Sequence, residues 1–145
     1  MSQISDIIQS LANMSVNGIT AQYSTTLRDD VVSAVLPYRF ISHRGAGMAA
    51  NRLVRTTFSG PAYQAQWKLF DVCLIRAVGA GIGVSDISFD VYDYMGEYLS
   101  GLRDVATNKY VVTDVQMESS LVEWPASSDR RYDAVVAIVT IDENN

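Results

Sequence analysis

The 145-residue chain holds a single cysteine and a single histidine, and each scarcity closes off a class of chemistry. Cys73 has no partner for a disulfide within the chain and sits inside an apolar run, where a thiol behaves as a small hydrophobe. A Ser-His-Asp triad or a zinc site would have to pass through His43, and no Cys or Glu stands near it in the sequence to assist. Long apolar runs are lacking as well. Stretches such as Val135 to Val139 fall far short of the ~18 residues that a membrane helix takes, and Met1-Ser2-Gln3 opens without the basic and apolar regions of a secretory signal. The expectation is a protein folded in a reducing cytoplasm, without a membrane partner. Basic charge is also short: the net charge is −5. Phosphate contacts call for a basic surface, so general nucleic-acid binding is not expected.

What is present is the balance of a folded domain, 48% hydrophobic and 19% charged residues. The length suits one domain spanning residues 1–145, with enough core to need no disulfide staples. Charge is unevenly placed. Residues 1–78 carry seven Lys/Arg against four Asp/Glu, a net of +3, whereas residues 79–145 carry four against twelve, a net of −8. Two readings follow. Unlike regions let copies attract one another head to tail, and such contacts close into rings when the rotation allows; alternatively both sets of charges are solvated and mixed in space.

Ile4, Ile7, Ile8 and Leu11 follow the i, i+3, i+4, i+7 spacing of an amphipathic helix, with Ser2 or Ser5 available as N-cap. Asn17-Gly18 breaks that pattern, and Ile19 to Tyr23 alternates like a half-buried strand. Residues 24–36 admit a helical turn or an extended segment, which Pro37 would end. Tyr38 to Ser42 and Leu53 to Phe58 read as two further strands. Ser59-Gly60-Pro61 turns the chain, so the strand before it and the long one from Tyr63 should form an antiparallel hairpin. That long run is apolar on both faces, as in a central strand, with Asp71 interrupting one of them. A glycine turn (Gly79-Ala80-Gly81-Ile82-Gly83) leads to a helix capped by Ser85 or Asp86, whose stripe comprises Ile87, Val91, Tyr94, Met95, Tyr98, Leu99 and Leu102. Gly96 and Gly101 lie inside it and suggest close backbone approach. Tyr110 to Met117 and Tyr132 to Ile141 give two closing strands, and the acidic end from Asp142 reads as frayed. The order α-β-β-β-β-α-β-β predicts an α+β fold: one domain, a mostly antiparallel β-sheet flanked by two helices.

Chemistry-bearing patterns are few. The glycine turn occupies the place of a phosphate-binding loop, yet it reads G-x-G-x-G and no Gly-Lys-Ser/Thr follows, so a sharp turn explains it equally well. Asp86, Asp90, Asp93 and Glu97 fit a solvated outer helix face better than a carboxylate pair. Arg39, His43, Arg44, Arg52 and Arg55 form the basic concentration of the chain, with Tyr38, Phe40 and Phe58 among them. Arginine beside aromatic residues grips nucleic acid or protein; in an acidic chain the protein partner is the better reading. No catalytic, metal or cofactor residue is indicated, and no cofactor is expected.

Laid out in order, the chain resembles the tail terminator proteins (tail completion, head–tail joining) of tailed bacteriophages. The likeness covers most of its length: the opening helix, Gly18-Ile19-Thr20-Ala21, the Leu36-Pro37 step, the strand ending Trp67-Lys68-Leu69-Phe70-Asp71-Val72-Cys73-Leu74, the glycine turn, Val91-Tyr92-Asp93-Tyr94-Met95-Gly96-Glu97-Tyr98-Leu99, and Tyr110-Val111-Val112-Thr113. It implies a non-enzymatic virion protein, assembled in the host cytoplasm, that forms a homohexameric ring. Such a ring ends polymerisation of the tail tube protein and docks the tail to the head connector, with DNA passing through its lumen. On that reading the 43–52 loop becomes a candidate contact with tube or connector, and Arg39, His43, Arg44, Met48, Arg52 and Arg55 are the candidate partner-facing residues. The alternatives are a neck or head-closure protein of the same junction, and a small nucleotide-binding enzyme using Gly79 to Gly83.

Overall fold

The computed structural model of the protein describes residues 3–22, 36–42, 54–78, 89–105, 109–123 and 130–144. Along them run α1 (Gln3–Asn13), β1 (Ala21–Gln22), β2 (Tyr38–Ser42), β3 (Val54–Ser59), β4 (Ala62–Val78), α2 (Val91–Leu102), β5 (Tyr110–Glu123) and β6 (Arg131–Asn144). This is the expected α+β order. The strands form one sheet, β1-β2-β4-β6-β5, with β3 also paired to β4. Only β1 and β2 run parallel; every other pair is antiparallel.

The sheet is built around β4 and β6, which pair from Gln64↔Asn144 to Val78↔Arg131. Both strands carry apolar side chains at successive positions, so both of their faces must be covered. On one face Leu69, Cys73 and Ile75 of β4 meet Val135, Ala137, Val139 and Ile141 of β6, and both helices pack there. From α1 come Ile4, Ile7, Ile8, Leu11 and Ala12; from α2 come Tyr94, Tyr98 and Leu102. The opposite face holds a second apolar cluster of Phe40, Val72, Leu74, Val122, Tyr132, Ala134 and Val136.

Local chemistry explains the corners. Asn17 (φ 51°) and Gly18 (φ 78°) make a two-residue reversal closed by mutual Val16 and Ile19 backbone hydrogen bonds of 3.0 and 2.8 Å. Asn-Gly is the pair best suited to a turn with positive φ at both positions. Gly60 (φ 62°) performs the same service at the β3–β4 hairpin, whose register runs from Ser59↔Ala62 to Val54↔Trp67.

β2 and β3 lie in line on one side of β4. Ser42 stands opposite Phe70 and Val54 opposite Trp67, so the chain leaves that edge and rejoins it three β4 residues away, about 10 Å along the strand.

Several sequence expectations need correction. Helix α2 starts at Val91, not after Ser85 or Asp86: Asp90 is its N-cap, extended in backbone and accepting from the Asp93 N–H at 3.0 Å. Ser5 lies inside α1 instead of capping it. β5 and β6 run on to Glu123 and Asn144, beyond the apolar stretches that marked them. The acidic end is therefore part of the sheet, and Glu143 is buried. Expectations for Ser2, residues 24–35, the 43–52 loop, the glycine turn, Ser85, Asp86 and Ile87 lie outside the described residues.

Candidate functional site

Asp71, which breaks the apolar face of β4, is answered by Arg39 of β2. In the β2–β4 register Arg39 opposes Cys73 and Ile41 opposes Asp71, so the two charges are diagonal neighbours on one sheet face. Arg39 Nε lies 2.9 and 3.1 Å from Asp71 Oδ1 and Oδ2, and Nη2 lies 2.5 Å from Oδ2. Neither side chain has any solvent exposure. The remaining guanidinium donors reach backbone carbonyls: Nη2 gives to Leu11 O at 3.0 Å, and Nη1 to Met14 O at 2.5 Å and Ile19 O at 3.4 Å.

One cation thus closes the C-terminal turn of α1, whose last carbonyls lack helical partners and carry the negative end of the helix dipole. The planar five-donor fork of arginine suits this task, and lysine could not reproduce it. From α2, the Tyr98 hydroxyl donates to Asp71 Oδ2 at 2.8 Å, and its ring lies 5.5 Å from the Arg39 guanidinium carbon. The cluster joins α1, the Asn17-Gly18 turn, β2, β4 and α2. A second tie reinforces it, since the Asn17 backbone N–H donates to Glu97 of α2 at 2.7 Å.

The surroundings fix the protonation states. Burial works against the Arg39 charge, but the hydrogen bonds and charge of Asp71 outweigh it and hold the arginine pKa above its ordinary value. Burial, followed by the Asp71 carboxylate, pushes Tyr98 well up. Tyr94 is raised by burial and by neighbouring Cys73. Burial also takes the Cys73 thiol up to about 12, so it is neutral and a poor nucleophile near pH 7.

A second buried carboxylate, Glu143, sits near the other end of β6. Tyr63 Oη donates to its Oε2 at 2.9 Å and Trp67 Nε1 to its Oε1 at 3.1 Å. Burial and the facing Glu143 charge push Tyr110 up to about 12. Among the described residues no buried side-chain polar atom lacks a partner.

Of the residues expected to face a partner, Arg39 is instead a core residue, 1% exposed and fully engaged. A strand alternation that puts Tyr38 and Phe40 on one side puts Arg39 on the other, toward the helices. His43, Arg44, Met48 and Arg52 lie outside the described residues. Arg55 is placed in β3 opposite Gln66, and its side chain lies outside them. Asp90, Asp93 and Glu97 are exposed on α2 as expected. Among the described residues no three His, Cys, Asp or Glu side chains gather as metal ligands, and no helix is long and apolar enough to cross a membrane.

The reading of single residues missed the Arg39–Asp71 pair and the Glu143 site. A signal for the first was available: one charge in the middle of each of two apolar strands, each needing the other. The surface carries a different kind of site, with Phe58 72% exposed at the β3–β4 hairpin and Tyr92 and Leu99 exposed on α2. Comparison with known proteins adds no relative: no protein-family model matches the chain, and no curated protein matches it significantly.

Proposed function

We propose that this protein is a structural, non-enzymatic component of the head–tail junction of a tailed bacteriophage, a ring of about six copies that caps the tail tube and joins it to the head connector. DNA passes through the lumen without sequence-specific contact. The observation that carries the reading is the destination of the buried ionisable side chains. Arg39, Asp71, Tyr98 and Glu143 all brace the protomer internally, which suits a subunit that must stay stiff between two larger assemblies. Large apolar side chains meanwhile stand exposed on two separate elements, as unlike faces of a ring subunit would. The resemblance to tail terminators supports the same function, and its quoted segments fall on α1, β4, α2 and β5.

The test is a null allele in the phage that encodes the chain, examined by electron microscopy beside antibody labelling of wild-type particles. The expected outcome is filled heads and unjoined tails in the mutant, with label at the neck of wild-type virions. Normal particles from the null allele, or label elsewhere, would overturn the proposal. His43, Arg44, Met48 and Arg52 are the proposed contacts with tube or connector; deleting Gly45 to Ala50 without loss of head–tail joining would remove them from that role.

A further inference from the structure

Gly96 is a residue that the protomer leaves unexplained. It stands in the middle of α2, where glycine is destabilising relative to alanine, and nothing lies within 4 Å of the position its Cβ would take. Gly101 in the same helix has a reason to be small, because a Cβ there would meet Met14 Sδ at 2.5 Å. Around Gly96 the helix is apolar. Tyr92 is 85% and Leu99 51% exposed, and at 100° per residue Tyr92, Gly96 and Leu99 share a sector of about 60°. The buried stripe of Tyr94, Tyr98 and Leu102 is on the opposite side. The result is a shallow hollow between two large side chains. Its charged neighbours on Asp90 to Leu102 are all acidic, with Arg103 following at the C-terminal end.

The β3–β4 hairpin has the complementary character. Phe58 near its tip is 72% exposed, with its ring centroid 6.0 Å from that of Tyr63. From Val54 to Leu69 the charged residues are Arg55 and Lys68, with no acidic one. One chain therefore carries an aromatic knob on a cationic element and an apolar hollow on an anionic element.

We propose that Phe58 of one copy seats over Gly96 of the next copy, between Tyr92 and Leu99. This rests on the ring reading above and gives it an interface. The contact is heterologous, since knob and hollow are different surfaces of the same chain, and repetition of such a contact closes a ring. A second copy is the occupant because this chain itself supplies the matching shape and the opposite charge.

Light scattering after size exclusion tests it with the whole protein. Wild type is expected at several times 15.9 kDa. Phe58→Glu removes the knob and Gly96→Trp fills the hollow; each should leave monomers, with association at least about tenfold weaker. Their circular dichroism should stay that of wild type, because both positions are exposed. An equimolar mixture of the two variants should form dimers and stop there, since one intact knob and one intact hollow remain. Oligomers unchanged in Phe58→Glu, or a mixture that stays monomeric, would overturn this interface while leaving the ring reading standing. A wild-type protein that is monomeric at every concentration would overturn both. Phe58→Tyr, keeping the ring system, should restore assembly.

Discussion

Replacing Asp71 by alanine removes the only anion hydrogen-bonded to the Arg39 guanidinium among the described residues and leaves that charge buried with three carbonyls for company. The magnitude follows from what is lost. Three nitrogen–oxygen contacts of 2.5–3.1 Å disappear, and the Tyr98 hydroxyl loses its acceptor. Breaking a buried pair on one side typically costs ~3–5 kcal/mol, against a total stability of about 5–15 kcal/mol for a domain. Arg39 cannot escape by shedding its proton, because an arginine remains charged. Urea unfolding followed by far-ultraviolet circular dichroism and tryptophan fluorescence reads the effect. With a slope of about 2 kcal/mol per molar, the midpoint should fall by roughly 1.5–2.5 M. Tyr98→Phe removes one hydrogen bond to a charged acceptor and should cost about 1.5–3 kcal/mol. The double variant Arg39→Met with Asp71→Leu should recover part of the Asp71→Ala loss. Its recovery should stay incomplete, because the Leu11 and Met14 carbonyls then lose their donor as well. A loss below ~1 kcal/mol for Asp71→Ala would place the pair among solvent-screened ion pairs and refute the reasoning.

Three further outcomes are expected. Gly96→Ala should stabilise the protomer by about 0.5–1 kcal/mol in thermal unfolding, as its added methyl meets nothing; Gly101→Val should destabilise it by about 1–3 kcal/mol, because Met14 must move while its carbonyl is held by Arg39. In alkali, Cys73 is neutral in the folded protein up to about 12 while the unfolded thiol ionises near 9.0. Its contribution is thus complete below pH 9 and falls by up to about 1.4 kcal/mol per pH unit above it, with Tyr94, Tyr98 and Tyr110 adding from about pH 10. Stability that holds to pH 11, or tyrosine absorbance titrating as a single class near 10, would contradict this. Finally, Glu143→Ala should cost about 1–3 kcal/mol by leaving the Tyr63 hydroxyl and Trp67 indole N–H without their acceptor, whereas a frayed end would tolerate it; urea unfolding decides.

Much of the fold was legible because periodicity reports burial. Ile4, Ile7, Ile8 and Leu11 named the inner face of α1, and the unbroken apolarity of Phe70 to Ile75 named β4 as a central strand. The Ser59-Gly60-Pro61 turn named the hairpin. Strand ends were less legible: Glu118, Ser119 and Ser120 sit on an edge strand, where polar residues are at home, so β5 looked shorter than it is. Glu143 misled for a related reason, since its burial depends on Tyr63, Trp67 and Tyr110, which lie far from it in the chain. Arg39 was misplaced because charge was read along the sequence, although a pairing across strands decides where a charge goes. Gly101 was read as a close approach and is one; Gly96 in the same helix is not, within a single protomer.

The interrupted edge along β4 makes the strand a ruler against which insertions can be made without penalty to the rest. Ser42 and Val54 are each fixed by their own pairing, so lengthening or trimming the eleven residues between them changes only the entropy of closing a gap of constant width, about 0.6 kcal/mol per doubling. Evolution, or an engineer adding an epitope, can therefore vary what the protein displays there without shifting a single rung of the sheet.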